Sequence, residues 1–393
     1  MAGRLRLAAT GVQDKWLTGE PQFSYFLMNY KRHTKFAIDY VESQFDGQID
    51  FGNILECRVP NDKGDFVKNL TLKVTLSDPQ PDTDGNNVFW SPSIISHLIE
   101  YAELIIGGQT IERITGEYIF MHQQLYNTDD DVDQTLYFLT GHGNILSYSG
   151  EYTYFMDLPF YFYRNPSLAI PTCALTKQMV EVRIKTRPLS ELIYGGAPAN
   201  VTASINKFSL DTEFIFVTPN ERAFFMSRPI DYVITQTQLS QFIMKAGETK
   251  KSVMLNFVHP VKELFFISQS ESSVRNNYPN QYNNITNVEL RFNNEVVFNR
   301  SKKFLAYEQA LKHHVYSPRN EGSYQNSEFA MYSFSLKPEL YYPTGQINMS
   351  RISHKLLTLD IDPLTVEDDN NTRIYAVNYN ILRVANGIAG LKF

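Results

Sequence analysis

Apolar and polar residues alternate with a period of two along most of this chain, and that spacing predicts strands. Asn69–Leu76 puts Leu70, Leu72, Val74 and Leu76 on one face. Phe36–Phe45 alternates too, with Phe36, Ile38 and Tyr40 set against Ala37 and Asp39. Further strands are expected at Tyr152–Phe162, Val180–Thr186 and Ala203–Val217. The second half offers Tyr232–Phe242, Lys251–Phe257, Val261–Ser268, Val288–Phe298, Met331–Leu336, Lys355–Ile361 and Arg373–Val384. Their β-branched and aromatic content, and the Gly, Pro, Asn and Asp clusters between them, support the assignment. Helical spacing is confined to Gly116–Tyr126, to Ser301–His314 with Phe304, Tyr307 and Leu311 on one face, and to a turn or two at Asn220–Met226. Strands and helices do not alternate, which speaks against a doubly wound parallel fold, and many short strands point to an all-β sandwich or barrel.

The two halves resemble each other. Leu104–Ile111 reads as a hairpin on Gly107-Gly108, with a helix following from Gly116. Leu290–Val297 reads as a hairpin on Asn293-Asn294, with a helix following from Ser301. Both pairs tolerate the positive φ of tight hairpins. Further on, Phe160-Tyr161-Phe162-Tyr163 runs into Asn165-Pro166-Ser167-Leu168, and Tyr332-Ser333-Phe334-Ser335 runs into Lys337-Pro338-Glu339-Leu340, at an offset of 172 residues. One unit has been duplicated, with a natural break at Thr218-Pro219-Asn220, where Pro ends a strand and Asn can cap the next helix.

Four polar loops are long: Asp78–Ser93 with Asp82 and Asp84, Asn127–Glu151 with Asp129–Asp133, Gln269–Asn284, and Ser317–Ser327. They flank the hairpins at corresponding places in the two halves. Loops of this length in a compact domain usually carry function.

Composition narrows the class. Aromatics make up 13% of the 393 residues, with 24 Tyr and 27 Phe against 2 Trp, which suits strands. Charged residues stand at 20%, which leaves apolar surface for a partner subunit to cover. A net charge of −6 argues against direct contact with nucleic acid. The two cysteines, Cys57 and Cys173, rule out a disulfide framework and read as small buried hydrophobes in a reducing compartment. Met1–Thr10 lacks the apolar stretch of a signal peptide, and the longest apolar run, His97–Gly107, is broken by Glu100 and Glu103. The chain is expected to be made and kept in a cytosol-like space.

No hydrolase elbow, P-loop, zinc-protease helix or paired-cysteine motif occurs. His313-His314 are neighbours on a helix and point about 100° apart, so they cannot share one metal from that helix. Asp129–Asp133 and Asp82-Thr83-Asp84-Gly85 miss the glycine of a calcium loop and read as solvated acidic loops. Gly107-Gly108 sits on a hairpin and does not cradle phosphate. The run Lys31-Arg32-His33-Thr34-Lys35 is the densest positive stretch, too small to establish a nucleic-acid or membrane contact. Catalytic residues, metal ligands and cofactor sites are therefore expected to be none. Asn-x-Ser/Thr triplets start at Asn69, Asn200, Asn284, Asn299, Asn348 and Asn370. Without a secretory route most are coincidental.

Three segments point to a family. Ala9-Thr10-Gly11-Val12-Gln13-Asp14-Lys15-Trp16-Leu17-Thr18-Gly19-Glu20-Pro21-Gln22, followed by Tyr30–Ala37, resembles the opening of major capsid proteins of nucleocytoplasmic large DNA viruses. Ala102–Gln109 with Gly116-Glu117, and Tyr375–Arg383 followed by Gly387–Leu391, resemble the middle and end of the same family. The resemblance implies two tandem eight-stranded jelly-roll barrels with a few short helices. It divides the chain into an N-terminal arm at 1–30, a first jelly roll at 31–217, a linker with a short helix at 218–230, and a second jelly roll at 231–393. It further implies a homotrimer forming a pseudo-hexameric capsomer that meets neighbouring capsomers in an icosahedral shell, assembled in the host-cell cytoplasm. The arm would face minor capsid proteins and the inner viral membrane at the base, and the four loops would crown the outer face. On those loops Asn284 is the glycosylation candidate.

The leading expectation is a structural shell protein and not an enzyme. A second is a host-glycan-binding attachment role through the outer loops, with Tyr278 and Tyr282 as aromatic platforms. A third is a minor capsid paralogue or scaffold of the same fold.

Overall fold

The computed structural model describes residues 2–80, 88–127, 131–142, 150–195, 201–272, 279–282, 285–316, 328–362 and 367–393, with the backbone alone at 131–133. Two compact units divide the chain, Met1–Phe36 and Ala37–Phe393. The first holds helices α1 (Ala2–Ala8) and α2 (Lys15–Thr18), neither of which buries a residue. It therefore has no core of its own.

The second unit is built of antiparallel strands. In chain order the first set comprises β1 (Phe36–Gln44), β2 (Ile54–Val59), β3 (Phe66–Leu76), β4 (Phe89–Trp90), β5 (Ile99–Ile106), β6 (Gln109–Thr115), β7 (Tyr152–Asp157), β8 (Val180–Thr186), β9 (Ile193–Tyr194) and β10 (Ile205–Val217). The second set comprises β11 (Ile230–Met244), β12 (Lys250–Met254), β13 (Pro260–Ser270), β14 (Ile285–Phe292), β15 (Glu295–Ser301), β16 (Ala330–Ser333), β17 (Ile347–Asn348), β18 (Lys355–Ile361), β19 (Asn370–Ala385) and β20 (Ile388–Leu391). The first set forms sheets in the orders β1-β10-β3-β7 and β2-β8-β5-β6, with β4 and β9 as a small extra pair. The second repeats the pattern as β11-β19-β13-β16 and β12-β18-β14-β15, with β17 and β20 added at β13 and β19. In each half the last long strand enters the first sheet between its first and third strands. That interleaving is the jelly roll, and it occurs twice.

Inner faces make the cores. Leu55, Leu70, Leu72, Val74, Leu104, Val182, Ile184, Phe208 and Leu210 are buried in the first barrel. Leu264, Phe266, Val288, Leu290, Leu357, Leu359 and Ile374 fill the second. Each such side chain contributes about 1.5–3 kcal/mol by leaving water. The two barrels also share apolar packing. Strands β13 and β19 are buried on both faces: Leu264, Phe266, Ile374 and Ala376 face their own barrel, while Phe265, Ile267, Tyr375 and Val377 join the cluster of the first.

Local chemistry sets the turns. Gly107 and Gly108 have φ of +59° and +81°, and Asn293 and Asn294 have +48° and +73°, the left-handed pair that a two-residue hairpin requires. After the short helix α3 (Ile94–Leu98) and before α5 (Tyr137–Thr140), helix α4 (Gly116–Tyr126) follows β6, capped by Thr115, whose hydroxyl accepts from Tyr118 N at 3.2 Å. A Cβ on Gly116 would stand 1.9 Å from the Ser96 carbonyl oxygen, so only glycine fits there. In the second half a π-helical turn, Phe304–Glu308, runs into the helix Gln309–His313 in the corresponding place after β15.

Several expectations need correction. The strand from Tyr152 stops at Asp157, since the chain turns at Pro159, and the strand at Met331 stops at Ser333. Helix α6 (Pro219–Ser227) takes Thr218 and not Asn220 as its N-cap, with Pro219 at the first helical position where its missing N–H costs nothing. Strand β2 went unpredicted, although Leu55, Cys57 and Val59 alternate inward against Ile54, Glu56 and Arg58. On β1 the apolar set Phe36, Ile38 and Tyr40 is exposed, while Val41, and Phe45 just past the end of the strand, face the core instead.

Candidate functional site

For a chain whose expected work is assembly, the sites are surfaces, and the best defined is the seam between the barrels. Helix α4 lies against the outer face of β13 and β19. Period two aligns Glu263, Phe265, Ile267 and Gln269 on β13, and Arg373 and Tyr375 on β19. The Tyr118 ring sits 6.3 Å from both Phe265 and Tyr375.

Two polar clusters punctuate this apolar contact. In the first, Arg373 donates from Nε and Nη2 to the two oxygens of Glu117 at 2.8 and 2.6 Å. The Tyr375 hydroxyl donates to Glu117 Oε2 at 2.7 Å, and Arg373 Nη2 also reaches Gln269 Oε1 at 2.9 Å. Burial alone would lift the Glu117 carboxyl, but the Arg373 guanidinium and the Tyr375 hydroxyl hold it below its ordinary value. The fork geometry is what makes arginine suited to a desolvated pair.

In the second cluster, His314 has no exposed side-chain surface and lies between two carboxylates. Its Nε2 is 3.0 Å from Glu263 Oε2 and its Nδ1 is 2.9 Å from Glu339 Oε1. Both nitrogens face acceptors, so the ring is an imidazolium. Burial opposes that charge, but the hydrogen bonds to Glu263 and Glu339 outweigh it and raise the pKa. Lys262 donates to the Pro338 carbonyl at 2.8 Å and stands 3.8 Å from Glu263. Across the seam, Glu112 accepts from Tyr161 N at 2.7 Å, and burial pushes its carboxyl up to about 8 against the pull of Lys262. From α4, the Tyr126 ring meets His314 edge-on at 5.8 Å and stacks on His122, which burial holds neutral with its pKa at about 3. At another edge of the seam Lys177 N donates to Gly387 O at 3.1 Å, and Ala389 N to Gln178 Oε1 at 2.7 Å.

A groove of 690 Å³ runs beside the first cluster, walled by Tyr101 and Arg113 on one side and by Thr237, Leu239 and Gln241 on the other. On the outer face of β2-β8-β5-β6 a row of alternating charge, Glu56, Arg183, Glu103 and Arg113, crosses all four strands.

The residues singled out in sequence fare differently. His314 is buried in an ionic cluster and His313 bonds the Leu336 carbonyl at 3.2 Å, so the neighbours do diverge. Cys57 and Cys173 are free thiols, both buried. Tyr282 is buried and unsuited to stacking on a sugar, which removes it from the glycan-binding expectation. Asn370 is buried and Asn69 lies half-buried within β3, so neither can accept a glycan as placed. Asn284, Asn200, Tyr278, Asp82, Asp84, Asp129 and Asp130 lie outside the described residues, as do the side chains of Asp131 and Asp133. Lys31, Arg32, His33, Thr34 and Lys35 fall in the unit Met1–Phe36. Among the described residues no group of three or more His, Cys, Asp or Glu could hold a metal, and no helix is long and apolar enough to cross a membrane. Sequence reasoning missed Glu117, Arg373, Glu263, Glu339 and Glu112. The available signal was a charge inside an otherwise apolar strand, as at Lys262-Glu263.

Comparison with known proteins agrees over the whole length. Residues 24–217 match the family described as major capsid protein N-terminus, and residues 221–390 match large eukaryotic DNA virus major capsid protein. The major capsid protein of Pyramimonas orientalis virus is 30% identical, covering 100% of this chain and 99% of that protein. That of Paramecium bursaria Chlorella virus 1 is 27% identical, covering 100% of both. Among solved structures, a chain of the quasi-atomic model of the PBCV-1 virus capsid superposes with a TM-score of 0.76 at 22% identity, covering 94% of this chain and all of that one. The Faustovirus major capsid protein gives 0.77 at 11% identity, covering 98% and 96%. With its two jelly rolls and a full-length match in sequence, this chain belongs to the major capsid proteins of large eukaryotic DNA viruses.

Proposed function

We propose that this chain is the repeating unit of an icosahedral shell, that three copies close into a pseudo-hexagonal capsomer, and that it has no enzymatic activity. The observation that carries this is the duplication. Three chains with two barrels of one topology present six similar bodies, which can tile a hexagonal lattice. Neighbouring capsomers are then the lateral partners. We divide the chain into an arm at 1–30, barrels at 31–217 and 231–393, and a linker at 218–230. The arm meets minor capsid proteins and the inner membrane: it buries nothing in its own helices and carries Arg4, Arg6 and Lys15, with Lys31, Arg32 and Lys35 following just after it. Buried free thiols at Cys57 and Cys173 suit assembly in the reducing host cytoplasm.

Light scattering of the purified chain tests the trimer. A mass of about 136 kDa, three times 45.3 kDa, is expected, and a stable monomer would overturn the reading. Each interface should bury at least about 1,000 Å².

A further inference from the structure

Strand β11 outruns the strand it meets across the seam. Where the barrels touch, the side chains of Gln236 and Thr237 donate to the carbonyls of Ile111 and Arg113 on β6. Strand β6 ends at Thr115, where the chain turns into α4, while β11 continues to Met244. The walls part there, and the 690 Å³ groove beside the Arg373–Glu117 pair lies between them. Pro279 and Asn280, between β13 and β14, also line it, so the groove reaches the end of the barrels that carries that loop. A cleft of this size suits a small ligand.

The lining is charged yet neutral in sum. Glu100, Glu117 and Glu191 are matched by Arg113, Arg187 and Arg373. Each carboxylate also has a cation of its own: Lys185 at 2.7 Å for Glu100, Arg373 at 2.6 Å for Glu117, and Arg187 at 3.3 Å for Glu191. An anionic ligand would have to break one of these pairs and then face the carboxylate left behind. A cationic ligand meets the mirror-image penalty. An apolar ligand would strip water from every pair and gain little beyond Leu239, Pro279 and two tyrosine rings. A neutral molecule dense in hydroxyls avoids all three costs, since each hydroxyl can donate to a carboxylate and accept from a guanidinium.

The polar groups are held in place. The Arg113 guanidinium carbon lies 3.8 Å from the centroid of the Tyr101 ring, and that stacking limits the swing of its N–H fork. Glu117 and Arg373 fix each other. Burial keeps His97 neutral, with its pKa at about 3, and its Nε2 donates to the Glu191 carbonyl at 3.1 Å, which leaves Nδ1 an acceptor. On the opposite wall Gln241 donates to Asn371 Oδ1 at 2.9 Å. Donors and acceptors fixed beforehand spare a ligand the cost of ordering them.

We propose that this groove is a carbohydrate site that takes a short neutral oligosaccharide across Arg113, Glu117 and Gln241. A polypeptide strand fits it less well. Gln236 and Thr237 already occupy the β6 edge that would pair with one, and the described lining offers no apolar pocket to anchor a side chain. Glycan recognition thereby moves from Tyr278 and Tyr282 to the seam, and it depends on neither the trimer nor the shell.

Calorimetric titration of the full-length protein tests this, with maltotriose, cellotriose, mannotriose and chitotriose as neutral probes and sialyllactose as the acidic one. At least one neutral trisaccharide should bind with a Kd of about 1 mM or tighter, and sialyllactose should bind more weakly. Leu239→Trp fills the groove from a position 44% exposed, and Gln241→Ala removes an exposed amide from its wall. Each should weaken binding by about tenfold or more while the melting temperature stays that of the wild type. No heat from any neutral probe, tighter binding of sialyllactose, or neutral binding that either variant leaves intact would overturn the proposal. A blocked Ala-Gln peptide titrated in parallel should give no heat, and heat from the peptide alone would reassign the groove to a polypeptide partner.

Discussion

Arg373 and Glu117, 256 residues apart in sequence, face each other as a two-pronged ion pair at 2.8 and 2.6 Å across the seam between the barrels. Burying such a pair is costly, and its attraction roughly offsets the loss of water. What it supplies is register, because the fork is satisfied in one relative position of α4 and β19 only. Arg373→Met should therefore cost about 3–5 kcal/mol by stranding the Glu117 carboxylate. Glu117→Gln combined with Arg373→Met should recover much of that loss in urea titrations. A single variant as stable as the wild type would show that the pair is dispensable.

The His314 cluster makes stability depend on pH in a defined direction. His314 binds its proton more tightly when folded, so its contribution is complete below about pH 6.5 and is lost as pH rises through the higher native value. Glu263 behaves oppositely. Burial would raise its pKa, but Lys262 and His314 lower it, so its contribution is present above about pH 4.3 and is lost as pH falls through the native value. Calorimetric melting of wild type and His314→Gln across the alkaline range should show a steeper decline in the wild type. Parallel curves would contradict the assignment of an imidazolium.

Glu112 holds its proton with a pKa of about 8 in the folded chain, well above an unfolded glutamate. Its native state therefore binds the extra proton, and stability falls as pH climbs from the unfolded value through 8. Glu112→Gln keeps an acceptor for Tyr161 N and removes the penalty. Its melting temperature should exceed that of the wild type at pH 8 and match it at about pH 3.5, below the unfolded glutamate value of about 4.3. Equal curves at both would refute the prediction.

Asn294 has φ of +73°, a conformation most side chains reach only at a cost of about 1–2 kcal/mol. Asn294→Ala should destabilise the second barrel by about 1 kcal/mol, and Asn294→Gly should be neutral or better. Denaturant midpoints of the two variants give the comparison directly.

What could be read from sequence was what local chemistry dictates. Val180–Thr186, Lys355–Ile361 and Gly116–Tyr126 form elements with the expected ends, because alternation or helical spacing there stops at clear breaks. Both hairpin turns were legible from their glycines and asparagines. Strand β2 was obscured because Glu56 and Arg58 dilute a short alternation, and the aromatic run beyond Asp157 looks like strand although the chain turns. Strands β13 and β19 were legible as strands at Val261–Ser268 and Arg373–Val384, but not their burial on both faces, which depends on what packs outside the second barrel. The seam was illegible for a different reason. Nothing near Glu117 says that its partner lies 256 residues later, or that Tyr282 is drawn inward.

The placement of β19 has a consequence for synthesis. It is made after every strand from β11 to β18, yet it sits between β11 and β13, and its outward face covers α4. Until it emerges, those two strands have no neighbour to join them, and Tyr118 on α4 stays bare. A nascent chain thus waits, with sticky edges, for Asn370–Ala385 before the second barrel can close, and long-range closure of this kind is slow. Association of the wrong chains competes throughout that interval, so yield of this protein should depend on translation speed and chaperone supply more than on final stability.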